Sequence, residues 1–289
     1  MKPGWNPSRR NRNIGTSKQG HGKNNRLVIP ERWSDSRIFW ERLHNPIAVT
    51  RNIGTHSITF LIEPTHAGFV HACTVDDITH LLEKIPSAHL QEIDLIVLRQ
   101  PKRKENLLSP VWGRLAYWAD MGRYSGSAVY LEAQCLSKVW RWNRSLTPSN
   151  TKELERLRQD GHTITEEKHH YLISSTLESI RVTQLYRTLP HEIGHNVDYI
   201  TSVIEPSVKT SDEAETEWLR QRYKSKTLED KEAFAHRYAE EFHTKLLLEG
   251  YIPFLRLIDE TKMAAEGLNL SWFKGTEFSL NSCNLPLTT

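Results

Sequence analysis

Apolar residues recur along this chain at two different spacings, and the change from one to the other divides it. Up to residue 135 the apolar runs are short: Ile58 to Glu63, Phe69 to Cys73, Ile93 to Arg99, Arg114 to Ala119 and Ser127 to Ala133. Each has a strand's length and composition. Turn residues at Pro64 to Gly68 predict a hairpin between the first two, and those at Gly122 to Gly126 predict another between the last two. Ile93 to Arg99 is the most apolar run and is expected to be a central strand, with Ser127 to Ala133 as the exposed edge. Between the strands, Thr74 and Asp77 match a capping box, and Val75, Ile78, Leu81, Leu82 and Ile85 keep a helical period until Pro86.

Beyond residue 135 the spacing becomes helical. Lys152 to Gln159 reads as a short charged helix after a turn at Thr147 to Asn150, and a pattern beginning near Thr176 runs to Pro206. Pro190 lies inside it and lacks a backbone N–H, which predicts a kink or a helix start there. A further helix is expected over Glu213 to Tyr223. The last spans Thr227 to Gly250, with Thr227 and Asp230 as a cap and Phe234, Tyr238, Phe242 and Leu246 as its apolar face. Together these patterns predict an α+β fold: a single domain over 27–289, sheet-rich over 27–135 and helical over 136–289.

One stretch carries chemistry. Residues 187–199 contain His191, Glu192 and His195 in the H-E-x-x-H pattern. Residues four apart on a helix lie one turn above each other, so both imidazoles leave the same face and can hold one metal ion. Glu192 stands about 100° further round, placed to take a proton from an attacking water. The opposite face carries Leu189, Ile193, Val197 and Ile200, the stripe a buried helix needs. Gly194 leaves room for a second helix or a substrate to approach.

A catalytic zinc takes three protein ligands and keeps a fourth position open. The helix after Thr227 offers Glu232, with Ala235 and Ala239 beside it to allow close packing against the His191 helix. His236, one turn after Glu232, is an alternative ligand, and Asp198 is expected to support the site rather than ligate. The long metzincin motif is excluded, because it needs Gly and His where this chain has Asp198 and Thr201. Adjacent His169 and His170 point to different sides of a helix and are read as surface residues. Trp112, Trp118, Trp140 and Trp142 are read as core and rim aromatics.

Composition narrows the setting. Seven of the 38 basic residues fall in residues 1–30, which hold no Asp or Glu, leaving 31 basic against 35 acidic in the rest. A mildly acidic body with a basic arm does not suit a protein built around nucleic acid. Residues 1–26 have almost no apolar side chains and are expected to be a disordered tail. Cys73, Cys135 and Cys283 are too widely spaced for a C-x-x-C site and argue against a disulfide framework. No apolar run is long enough to span a membrane and no conventional signal peptide is present, which predicts a cytoplasmic protein and leaves export as an effector open.

His-Glu-Ile-Gly-His-Asn-Val-Asp-Tyr at 191–199, followed by Glu-Ala-Phe-Ala-His-Arg-Tyr-Ala at 232–239, resembles the gluzincin metallopeptidases. Within them it looks like the catalytic domain of anthrax lethal factor and its relatives, including the Pro-Pro endopeptidases. The resemblance covers about residues 187–242. It implies a zincin-like fold, a small mixed sheet with an active-site helix, and zinc held by His191, His195 and Glu232 with Glu192 as general base. It also implies an oxyanion-stabilising tyrosine at Tyr223, with Tyr238 or His236 as alternatives. The expected activity is hydrolysis of a protein or peptide substrate. The alternative is a non-catalytic zinc-containing binding protein whose basic arm contacts nucleic acid.

Overall fold

The structure, a computed structural model, describes residues 37–102, 105, 111–210 and 212–274. The basic stretch 1–26 lies outside them. The chain divides between Arg42 and Leu43. Before that boundary the described residues form one turn, in which the Glu41 carboxylate accepts the Ile38 N–H at 2.7 Å.

From Leu43 onward the architecture is mixed α+β. Strand β1 (Ile47–Ile53) and strand β2 (His56–Ile62) make an antiparallel hairpin turned at Gly54, whose φ of 60° suits glycine. The chain leaves the sheet at Phe69–Val70 (β3) and passes through helix α1 (Val75–Leu82), capped by Thr74 and Asp77 as the sequence predicts. It returns as β4 (Leu95–Arg99), every residue of which is buried. Strands β5 (Gly113–Asp120) and β6 (Ser125–Glu132) form the next hairpin. The sheet order is β1-β2-β4-β6-β5, with β4 parallel to both neighbours.

Two expectations about this sheet are corrected. The hairpin partner of β2 is β1, whereas β3 is only two residues long and pairs with β7 (Gln134–Cys135) in a separate ladder. In β1 only Val49 and Ile53 are buried, and the intervening Thr50, Arg51 and Asn52 hide its alternation. Among the described residues the strand at this end of the sheet is β5 rather than the 127–133 strand. Strand β6 lies between β4 and β5 and is buried from Gly126 to Glu132, the near-continuous pattern of an interior strand.

Between the large sheet and the helices after residue 174 stands a unit that the helical pattern does not anticipate. Strands β8 (Trp140–Asn143), β9 (Thr163–Glu166) and β10 (His170–Ser174) form a three-stranded antiparallel sheet, order β8-β10-β9. Helix α2 (Pro148–Gln159) is inserted between its first two strands and covers it with Leu154 and Leu157. Trp112 and Trp140 stack at 5.4 Å beside this cluster, whereas Trp118 is 70% exposed. The uninterrupted helical half therefore begins near residue 177. The strands were hidden because they are short and only Ile173 among them is fully buried.

From Leu177 to Val208 the chain stays helical but changes winding. A wide segment at Val182–Thr188 precedes helix α3 (Leu189–Tyr199), and another at Ile200–Ile204 follows it. The N–H of Leu189 bonds the carbonyl of Gln184, five residues back. Looser winding of this kind makes room for a ring without an N–H, so Pro190 marks the start of α3 instead of a break. Helix α4 (Glu213–Ser225) and helix α5 (Leu228–Leu248) complete the helical part, with Gly250 at φ 66° ending α5. Leu189, Ile193 and Val197 of α3 join Val129, Leu131, Ile96 and Phe242 in one core. Each such burial contributes about 1.5–3 kcal/mol.

Of the cysteines described, Cys73 is free and buried, while Cys135 is disulfide-bonded, so wide spacing did not exclude a bridge. Among the described residues no helix is long and apolar enough to cross a membrane.

Candidate metal centre

Helix α3 packs between the β5 edge and helix α5. Its apolar stripe is turned to the core, which leaves His191 and His195 on the face towards α5 with side chains 14% exposed. The two rings lie 4.8 Å apart and nearly perpendicular. Helix α5 starts at Thr227, whose hydroxyl accepts the Asp230 N–H, and this start places Glu232 on the second turn. The preceding residue, Lys226, is tied to α3: its ammonium lies 2.7 Å from both oxygens of buried Asp198. Asp198 thus supports the site from behind, fixing where the Glu232 helix begins.

Glu232 Oε2 lies 3.3 Å from His191 Nε2, and Oε1 lies 3.5 Å from His195 Nε2. Among the described residues these are the only three His, Cys, Asp or Glu side chains grouped closely enough to hold one metal ion. The spacing can be tested against zinc. Bonds of about 2.0–2.1 Å in a tetrahedron put neighbouring donors about 3.3–3.4 Å apart. Charge-assisted hydrogen bonds would be shorter, at about 2.7–2.9 Å. The donor types and both His–Glu spacings fit a zinc ion. The adjacent imidazoles also hold the Glu232 carboxyl well below the usual carboxylate range, keeping it in the ionised form a ligand requires.

His236 does not join the group. Its ring lies across His191 at 4.4 Å between centroids, and burial with the neighbouring His191 pushes its pKa down to about 4. It packs on His191 and faces a separate cavity of about 330 Å³ lined also by Arg156, Tyr186 and Arg187. Tyr238 is also directed elsewhere, its hydroxyl 2.9 Å from His89 Nδ1. His170, on β10, pairs with Glu167 and Arg141 and is not one of the three grouped donors.

The close approach of α3 and α5 depends on Gly194. A Cβ there would lie 2.9 Å from Ala235 Cα and 3.1 Å from its carbonyl oxygen, so the helices touch backbone to backbone one turn beyond Glu232. Gly194→Ala is expected to force them apart, destabilising the fold by about 1–3 kcal/mol. Zinc affinity should fall with it, because Glu232 moves with α5. Urea denaturation and zinc competition titration measure the two effects, and an unchanged variant would show that this contact does not set the site.

Glu192 occupies the other flank. It is 8% exposed, and its carboxylate accepts the backbone N–H of Leu115 on β5. Burial raises its pKa against the opposing pull of His191 and His195. A carboxylate of raised basicity next to a metal position suits a general base. In front lies an open cleft of about 420 Å³, with Gly113, Arg114, Leu115 and Tyr117 of β5 on one wall and Leu228, Lys231 and Glu232 of α5 on the other.

Tyr223, the tyrosine implied by resemblance, is 6% exposed and does not line this cleft. Its hydroxyl is 2.8 Å from that of Tyr117, and burial first, then Tyr117 and Asp198, raise its pKa. The tyrosine that lines the cleft is Tyr117, a residue that sequence reasoning missed. Its strand was expected, but no pattern along the chain tells that β5 is the edge beside α3. Comparison of the chain with protein-family models, with curated proteins and with solved structures gives no match.

Proposed function

We propose that this chain is a zinc-dependent endopeptidase of zincin-like fold. The observation that carries the reading is that His191, His195 and Glu232 stand close enough together to hold one metal ion and face a cleft that also holds a buried carboxylate and the end strand of the sheet. His191, His195 and Glu232 would hold the ion, and zinc when bound supplies a Lewis acid and a water acidified towards pKa about 7.

The chain's own residues do the rest. An extended peptide adds to β5, which ends the strand order among the described residues and borders the cleft, and backbone hydrogen bonds hold it in register. Leu115 fixes the Glu192 carboxylate beside that edge. Glu192 accepts the proton of the attacking water and returns it to the leaving amine, which departs as a neutral amine.

The purified protein is expected to hold about one zinc per chain and to cleave labelled casein. Treatment with 1,10-phenanthroline should abolish cleavage, and added zinc should restore it. Protein that is folded and binds no zinc at micromolar concentration would overturn the proposal.

A further inference from the structure

We propose that Lys231 selects the substrate: the cleft prefers peptides with Asp or Glu beside the bond to be cleaved, and the Lys231 ammonium receives that side chain's carboxylate. The inference rests on the hydrolase reading above and names the substrate class of the same cleft.

Placement on the helix is the first observation. Leu228, Lys231 and Glu232 fall on the first two turns of α5 at i, i+3 and i+4, so they share one face, and all of them line the cleft. Because Glu232 turns to His191 and His195, its neighbour Lys231 is brought beside the metal position. A carboxylate that reaches Lys231 therefore belongs to a residue close to the bond held at the centre. Leu228, which is 73% exposed, offers the carbon stem of that side chain an apolar surface.

Charge is the second. Apart from the two histidines, the charged side chains lining the cleft are Arg114, Lys231, Glu192 and Glu232. These balance, so a bound zinc ion leaves the cleft positive and favours an acidic partner. The cations are not equally available. Arg114 is turned to buried Glu132 at 3.5 Å, and Lys226, just before α5, is held by Asp198 at 2.7 Å. Lys231 instead rests its ammonium over the ring of buried Tyr223, 4.7 Å from the centroid, and among the described residues no carboxylate pairs with it. The Tyr223 hydroxyl lies 2.8 Å from that of Tyr117 on the opposite wall, so the ring beneath the ammonium is itself fixed. A cation laid on an aromatic face is oriented yet keeps its N–H donors for an incoming carboxylate. A basic substrate side chain at the same place would meet a like charge, so the cleft discriminates by repulsion as well as attraction.

The test digests a library of proteome-derived peptides with zinc-loaded wild type, Lys231→Met and Lys231→Glu, and reads the residues flanking each cleaved bond by mass spectrometry. All three proteins should hold equal zinc, since Lys231 is not among the grouped donors. Wild type is expected to enrich Asp and Glu about tenfold at one position beside the bond. Lys231→Met should abolish that enrichment, and Lys231→Glu should replace it with Lys and Arg at the same position. Cleavage without an acidic preference, or with one that both variants keep, would overturn the assignment alone and leave the hydrolase reading in place. Zinc-loaded wild type that cleaves no peptide in the library would instead count against the hydrolase reading, and this inference would fall with it.

Discussion

Glu192→Gln is expected to purify with its zinc in place and to hydrolyse casein about 100- to 10,000-fold more slowly than wild type, the usual weight of a general base. The substitution keeps volume and leaves an amide oxygen to accept the Leu115 N–H, so the wall between β5 and α3 is preserved. What disappears is the proton acceptor. Because burial already disfavours the charged form of Glu192, a neutral amide should fold at least as stably as the carboxylate. Metal analysis, thermal melting and a cleavage assay on one preparation separate these effects. Turnover at the wild-type rate in a zinc-loaded variant would remove Glu192 from the chemistry.

Glu232→Ala should fail at an earlier step. Two imidazoles on one helix are only a partial clamp, and the carboxylate 3.3 and 3.5 Å from them completes it. Loss of groups that merely orient ligands costs metal sites about 10–100-fold in affinity, and loss of a direct ligand should cost more. Zinc should then escape during ordinary purification, and cleavage with it. The fold should survive, because Glu232 is 42% exposed and α5 is anchored by Phe242 and Leu246 in the core. Elemental analysis beside circular dichroism decides the matter. Full zinc retention would mean that the ion sits elsewhere or is held by other donors.

The two variants answer separate questions. Glu192→Gln asks what the centre does, and Glu232→Ala asks whether there is a centre. Gly194→Ala stands between them, since it alters no polar group and tests whether helix spacing alone sets the ligand geometry.

How much of this was legible along the chain varies with the range of the interactions concerned. Helix α1 carries its own start signal in Thr74 and Asp77, and α5 carries Thr227 and Asp230, so both were placed from local residues. The stripe at Leu189, Ile193, Val197 and Ile200 is fixed by helical period, and it is buried as expected. The two histidines share a face for the same reason. Strands β1, β8, β9 and β10 were not legible, because each is short or interrupted by polar residues and gains its burial from partners distant in sequence. The disulfide bond at Cys135 was likewise invisible to spacing.

By itself, then, the sequence determined the local grammar of this protein: which segments coil into helices, where they start, and which side chains share a face. Those are set by contacts within a few residues and by the fixed periods of the backbone. Only the tertiary structure decided that β5 rather than β6 ends the sheet beside α3 and that Tyr117 rather than Tyr223 lines the cleft, and it brought Glu232, the donor the sequence already offered, to His191 and His195. Each of these turns on how two distant elements are rotated against each other. That rotation is set by long-range packing, such as the backbone contact of Gly194 with Ala235, which no spacing along the chain records.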